Sequence, residues 1–432
     1  MAVTGKSHGN KCGAFVDRNR QEQGEATFTQ CSHSLVRCLS PGDDGLRPMT
    51  VPSKPHWDLF CRVVDNFGDI GVCWRLARIL AAEHGIAVRL VVDRPEILDR
   101  IANSHEIYNK SVCYHHVEVV RWSDSIRPST DTSVVVEVFA CDPPEPYLAA
   151  MAELARCPLW INLEYLSAES WVAGCHGMLS RHPQLGIDKL FMIPGFDRAS
   201  AGLLRESSLD EQRRRFLSDP EARAAMWCGL GVPPPAPGEL RASLFGYENP
   251  VVVRLLDVLS RHSRPVTVVV PEGRSVADLS RRLGLGLARA GDVWREGSLQ
   301  VAVVPFTDQH SYDRLLWCCD LNMVRGEDSL VRALWAGRAM LWQAYPQQDD
   351  DHHAKVEALL GRLLPFVEPA AADDAAALWR HWNGMSGRGP AWARLESTVA
   401  ALTSAIDAWR QALAKGPELA TSLVNAATSQ IQ

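Results

Sequence analysis

Twice along this chain, strand-length apolar runs alternate with segments of helical period, and a single proline-rich break separates the two series. In the first series, residues 57–64, 87–92, 111–120, 134–139 and 159–163 read as strands. Helical period falls on residues 71–83, where Val72, Leu76, Ile79 and Leu80 share a face, and on 147–155. The break is Gly231-Val232-Pro233-Pro234-Pro235-Ala236-Pro237-Gly238, a linker by composition. Beyond it, strands are expected at 241–247, 266–270, 299–304, 321–324 and 339–343, and helices at 251–260, 311–319 and 330–336. Strands alternating with helices imply an α/β fold, a mostly parallel sheet with helices on both faces. Two such halves, 55–230 and 239–392, enclose a cleft, a common place for a ligand. A long helix at 393–415 and a polar tail at 416–432 complete the expected layout.

Composition narrows the function. Hydrophobic residues make up 46% and charged residues 22%, normal for a globular protein. A net charge of −6 argues against nucleic acid as the main partner. The twelve cysteines lack paired metal-ligand spacing, which fits reduced thiols in a cytoplasm. No apolar run is long enough to span a membrane, and the N-terminus has no signal-peptide core. Residues 1–54 are polar and without period, so a disordered extension is expected there, or a chain that starts at Met49.

Two loops carry the chemistry. Asp65-Asn66-Phe67-Gly68-Asp69-Ile70-Gly71 follows the first strand and leads into a helix, where open α/β sheets bind ligands. Two carboxylates four apart among glycines suit a general base beside a closely approaching substrate. The plain alternative makes Asp69 a helix N-cap and Asp65 the end of a turn. The glycine spacing does not match a dinucleotide fingerprint. The second loop, Arg325-Gly326-Glu327-Asp328-Ser329, opens a helix whose unpaired amides could cradle a diphosphate. There Arg325 would add charge, Ser329 a hydroxyl, and Glu327 an acceptor for sugar hydroxyls. An ordinary helix start with a surface arginine is the alternative.

These loops and the sequence between them resemble the EarP family. The run from Phe60 to Arg78, with Asp65-Asn66-Phe67-Gly68-Asp69-Ile70-Gly71 inside it, looks like that family's opening signature. Asn162-Leu163-Glu164-Tyr165-Leu166-Ser167-Ala168-Glu169 with Trp171 is similar, as are Pro194-Gly195-Phe196, Gly202-Leu203-Leu204-Arg205-Glu206 and Ser243-Leu244-Phe245-Gly246-Tyr247-Glu248-Asn249. Arg325 to Arg332 and Tyr345-Pro346-Gln347 complete a similarity covering residues 57–410.

The resemblance implies two Rossmann-like domains facing a cleft, the GT-B glycosyltransferase type, with acceptor bound by the first and nucleotide sugar by the second. It implies an inverting transfer of L-rhamnose from dTDP-β-L-rhamnose to an arginine of translation elongation factor P, without metal or other cofactor. Carried over by motif, Asp69 would be the base, Asp65 would hold the acceptor guanidinium, and Glu327 would serve the donor. Arg325, Gly326, Asp328 and Ser329 would surround diphosphate and ribose, and Phe245, Tyr247, Gln309 and Tyr312 the thymine. Residues i and i+2 of a strand, as Phe245 and Tyr247 would be, are otherwise plain core. Asp349-Asp350-Asp351 with His352-His353 invites a metal reading, but a solvated helix start explains it better. Trp160, Trp317, Trp335 and Trp342 are expected in the core. A GT-B enzyme with another sugar or acceptor, and a non-catalytic module of that fold, are the alternatives.

Overall fold

The computed structural model describes residues 55–65, 67–102, 113–114, 116–347 and 350–431. The expectations for residues 1–54 and for Asp349 lie outside them. Eight strands build the first sheet: β1 (His56–Cys61), β2 (Ala87–Val92), β3 (Cys113–Tyr114), β4 (Val117–Arg121), β5 (Thr132–Val138), β6 (Leu159–Leu163), β7 (Leu179–Arg181) and β8 (Asp188–Met192). Their order is β3-β4-β2-β1-β5-β6-β8-β7, parallel except for the antiparallel edge strands β3 and β7. Among them run α1 (Gly68–Glu83), α2 (Leu98–Ile101), α3 (Glu145–Ala152) and α4 (Val172–Cys175). Two further helices, α5 (Leu209–Ser218) and α6 (Pro220–Gly229), precede the proline-rich segment.

The second sheet has six strands: β9 (Leu240–Leu244), β10 (Val266–Pro271), β11 (Val293–Glu296), β12 (Leu299–Val304), β13 (Leu321–Arg325) and β14 (Ala339–Gln343). Their order is β11-β12-β10-β9-β13-β14, with only β11 antiparallel. Helices α7 (Val251–Ser260), α8 (Arg274–Leu283), α9 (Gln309–Cys318) and α10 (Glu327–Ala336) connect them. The chain ends in α11 (His352–Leu363), α12 (Pro369–Trp382), α13 (Leu395–Leu413) and α14 (Leu419–Ile431). Two Rossmann-like α/β halves flanking a cleft are the GT-B arrangement.

In each sheet the strand order reverses once where the site will lie. β1 neighbours both β2 and β5, and β9 neighbours both β10 and β13. Crevices outside the carboxyl ends of strands at such switch points are where open α/β sheets bind ligands. The loops after β1, β5, β9 and β13 therefore converge.

Three boundaries differ from the expectation. Although α5 and α6 precede the linker, Phe216 and Trp227 are buried against Trp317 and Val269, so these helices pack with the second half. The proline run is a surface loop, not the point where one core gives way to the other. Residues 416–432, expected as a polar tail, carry α14, whose Leu419, Ala420, Leu423 and Ala427 are buried in the core of the first half. Small side chains pack closely there while leaving little apolar signal. The strand expected at 241–247 ends at Leu244, which puts Phe245 and Tyr247 in the following loop, half-buried and outside the core. Trp160, Trp317, Trp335 and Trp342 are buried as expected.

Candidate active site

Helix α1 begins at Gly68, three residues before the periodic pattern, so Asp69 lies in its first turn. Asp69 does not cap the helix. It is 5% exposed, and its Oδ2 accepts from the amides of Val64 and Asp65, both at 2.8 Å, folding the loop back over the end of β1. Among the described residues its Oδ1 has no hydrogen-bond partner. Burial pushes the Asp69 carboxyl up; the two amides oppose this, and the charges of Asp65 and Asp93 add to it. The result is a carboxylate more basic than a free aspartate. Asp65 closes the turn, its carbonyl accepting from the Gly68 amide at 2.8 Å.

The Asp65 side chain reaches the other half of the molecule. Arg325 Nη1 donates to its two oxygens at 2.9 and 3.2 Å, and the Tyr247 hydroxyl donates to Oδ2 at 3.1 Å. The Arg325 guanidinium lies 4.5 Å from the Tyr247 ring centroid and 4.9 Å from that of Phe245. The loops after β1, β9 and β13 thus meet over one ion pair.

Gly326 precedes α10 with φ 63°, a left-handed conformation that favours glycine. No side chain caps the helix, so its first amides face the cleft with the positive end of the helix dipole. Glu327, in the first turn, accepts from the Leu166 amide at 3.0 Å. Burial pushes its carboxyl up to about 8; the Leu166 amide and Lys355 oppose the rise, and the charge of Asp69 adds to it. At neutral pH Glu327 therefore holds its proton. Ser329 is buried one step further along the helix.

Asp328, beside Glu327 in sequence, turns to different partners. Its Oδ1 accepts from Arg75 Nε of α1 at 2.9 Å. Arg75 also donates to Asp313 and Glu206, and Arg332 donates to the same two carboxylates, at 2.6 Å to Glu206. The two arginines hold Glu206 far below the usual carboxylate range despite its burial. This cluster ties α1 to α9 and α10 through residues far apart in the chain. Gly71 permits the approach, because a Cβ there would sit 3.2 Å from Gln309 Nε2 and 3.4 Å from Asp328 Oδ2.

Two connected cavities result. A narrow one of about 60 Å³ is lined by Phe245, Phe306, Gln309 and Tyr312 and reaches Arg325 and Ser329. Gln309 Nε2 donates to the Gly71 carbonyl at 2.9 Å, while its Oε1 is buried without a partner among the described residues and the buried Tyr312 hydroxyl lies beside the Ser329 side chain. A buried carbonyl oxygen of that kind can accept from a donor on a ligand. A larger cavity of about 470 Å³ shares Asp65, Gly68, Gly326 and Glu327 with the first. It contains Asp69 together with Tyr165, Arg274, Trp342, Tyr345 and Lys355, which had not been expected at the site. Tyr165 stacks on Phe139 with centroids 4.1 Å apart. Phe139, Ala140 and Asp142 all have positive φ in the loop after β5, strain of the kind that gathers at functional sites. Each expected site residue lines one of these cavities. Asp350, His352 and His353 gather elsewhere, at the start of α11, with potential ligand atoms within 4.8 Å of one another.

The model of the family described as elongation factor P (EF-P) rhamnosyltransferase EarP matches residues 57–428. The protein-arginine rhamnosyltransferase of Pseudomonas putida is 45% identical over 372 residues, covering 86% of this chain and 98% of that protein. The protein of the same name from Neisseria meningitidis serogroup B is 34% identical, covering 78% of this chain and 86% of its own length. A solved structure reported as the structural basis for EarP-mediated arginine glycosylation of translation elongation factor EF-P superposes with a TM-score of 0.62. It is 36% identical over 86% of this chain and 98% of its own.

Proposed function

The chain belongs to the EarP family of elongation factor P rhamnosyltransferases, and from that premise we propose that it transfers L-rhamnose from dTDP-β-L-rhamnose to an arginine side chain of elongation factor P. The observation that carries the reading is the meeting of Asp65 and Asp69 with the uncapped α10 and Arg325 across one cleft.

The chemistry follows from those groups. A free arginine stays protonated far above neutral pH, so its nitrogen is a poor nucleophile. Asp65 holds the acceptor guanidinium, as its carboxylate holds the guanidinium of Arg325. The arginine nitrogen attacks the anomeric carbon, the bond to dTDP breaks on the opposite face, and Asp69 takes the proton. One displacement inverts the sugar. Negative charge on the departing diphosphate meets Arg325, Arg274 and the α10 amides, so charge stabilisation there needs no metal ion. Protonated Glu327 lets that anion sit beside a carboxyl group and leaves a donor for it. In the narrow cavity, Gln309 Oε1 and the Tyr312 hydroxyl complement the polar edge of thymine, and Phe245 offers a ring face. No helix among the described residues is long and apolar enough to cross a membrane. A reaction on an acceptor that serves translation would take place in the cytoplasm.

Intact mass of elongation factor P after incubation with this protein and dTDP-β-L-rhamnose tests the reading. A gain of one deoxyhexose is expected. An unchanged mass, from protein that still binds dTDP, would move the acceptor or sugar elsewhere.

A further inference from the structure

Large apolar side chains left in water forgo the free energy of burial, and in this molecule they are not scattered. Among the described residues, eight such side chains are exposed, and four of them lie on one short stretch: Tyr165 (44%), Trp171 (45%), Met178 (54%) and Leu179 (52%). A fifth, Val64 (75%), adjoins Asp65 and lines the larger cavity together with Tyr165. The stretch starts in the cleft after β6 and ends on β7, the edge strand of the first sheet.

The segment is held in place, so its exposure is not looseness. Ser167 bridges to Gly195, Val172 is buried, and His176 Nδ1 accepts from the Ile193 amide at 3.1 Å. The Phe191 amide donates to the Met178 carbonyl and the His182 amide to the Ile187 carbonyl. With the register Leu179↔Leu190, Ser180↔Lys189 and Arg181↔Asp188, residues 178, 180 and 182 are the hydrogen-bonded pairs. The N–H and C=O groups of Leu179 and Arg181 therefore point away from the sheet. Proteins usually guard such an edge with charge, proline or brevity; β7 is short and carries Arg181, and the exposed Met178 and Leu179 lead into it.

We propose that this face, from Tyr165 through Trp171 to the free edge of β7, is where the acceptor protein docks while its arginine enters the cleft. The proposal rests on the rhamnosyltransferase reading above. Two observations select that occupant. The segment begins inside the cavity that holds Asp65 and Asp69, where Tyr165, Leu166, Ser167 and Ala168 line the wall with them, so a folded protein bound along it reaches the two carboxylates at that end. The inner end of the segment is also acidic: Glu164 lies close enough to bear on both Tyr165 and Glu327, and Glu169 follows, matching a guest whose inserted side chain is cationic. The partner it fits is a folded protein with an apolar surface and a strand edge beside the arginine.

The test uses the full chain with intact elongation factor P and with a short arginine peptide. Trp171→Ser and, separately, Leu179→Lys should each raise KM for the intact acceptor tenfold or more. The kcat at saturation, dTDP affinity and KM for the peptide should stay unchanged. In the wild-type protein, adding acceptor should slow hydrogen exchange at the Leu179 and Arg181 amides, a readout independent of any variant. An unchanged KM in both variants, or no added protection, overturns the proposal. So does a dimer of the chain alone that Leu179→Lys dissociates. Failure of the wild-type protein to modify the acceptor at all would instead strike the rhamnosyltransferase reading.

Discussion

Two groups of sequestered charge touch at the first turn of α10, and they have opposite characters. On one side, Glu206, Asp313 and Asp328 are met by Arg75 and Arg332, with Arg78 alongside. On the other, Asp69 and Glu327 sit in the cleft, bonded to the backbone amides of Val64, Asp65 and Leu166, with no arginine between them. The paired group keeps Glu206 ionised far below its usual range, while burial raises both cleft carboxyls. Paired charge of this kind fixes the relation of α1 to α9 and α10. Carboxyl groups without a counter-charge at a cavity wall store basicity, which structure alone would not require.

Removing one charge from each side separates the two roles. Asp69→Asn should lower transfer to the acceptor by about 10³-fold, within the range for a general base, while dTDP binding and melting temperature stay near wild type. Steady-state transfer and calorimetric titration with dTDP measure this. If the variant retained more than a tenth of the activity, the base would have to be sought elsewhere in the cleft. Arg75→Met should do the reverse. Buried Asp313 and half-buried Glu206 and Asp328 would lose a counter-charge, a change that in buried pairs typically destabilises by about 3–5 kcal/mol, and denaturant unfolding would read the loss. A stable Arg75→Met protein would break the contrast.

How far the sequence revealed this depends on whether a feature is local. Strands β2, β6, β12 and β14 begin and end where bounded apolar runs do, and α7 matches its period to the residue. Asp65, Asp69 and Glu327 were legible because each sits in a loop or first turn at a strand end, a position that chain order alone identifies. Contacts between distant residues left no such trace. Gln309 bonds the Gly71 carbonyl across 238 positions, and Arg75 finds Asp328 across 253. Glu327 and Asp328 were read as one unit, yet the 100° step of a helix turns adjacent side chains to different surroundings. The allegiance of α5, α6 and α14 was hidden for the same reason, since which core a helix joins is decided by packing.

Glu327 sharpens the contrast with the smallest expected effect. Its carboxyl is raised by burial from a usual value of 4.5 to about 8. The folded state therefore binds this proton more tightly than the unfolded chain. The stability so gained is fully present below about pH 4.5 and is lost as pH rises through about 8. Glu327→Gln cannot ionise, so its stability relative to wild type should grow by ~2–4 kcal/mol between pH 4 and pH 9. On the proposed reading, donor binding should follow the same group with the same sign. Below pH 8 the protonated carboxyl leaves the diphosphate unopposed, and above it the new negative charge repels the diphosphate. Calorimetric titration with dTDP should show wild-type affinity falling about tenfold from pH 7 to pH 9, the equivalent of about 1.4 kcal/mol, with most of that slope absent from Glu327→Gln. Equal slopes in the two proteins would mean that Glu327 is already ionised at neutral pH, and that the two sides of the α10 turn differ less than their surroundings imply.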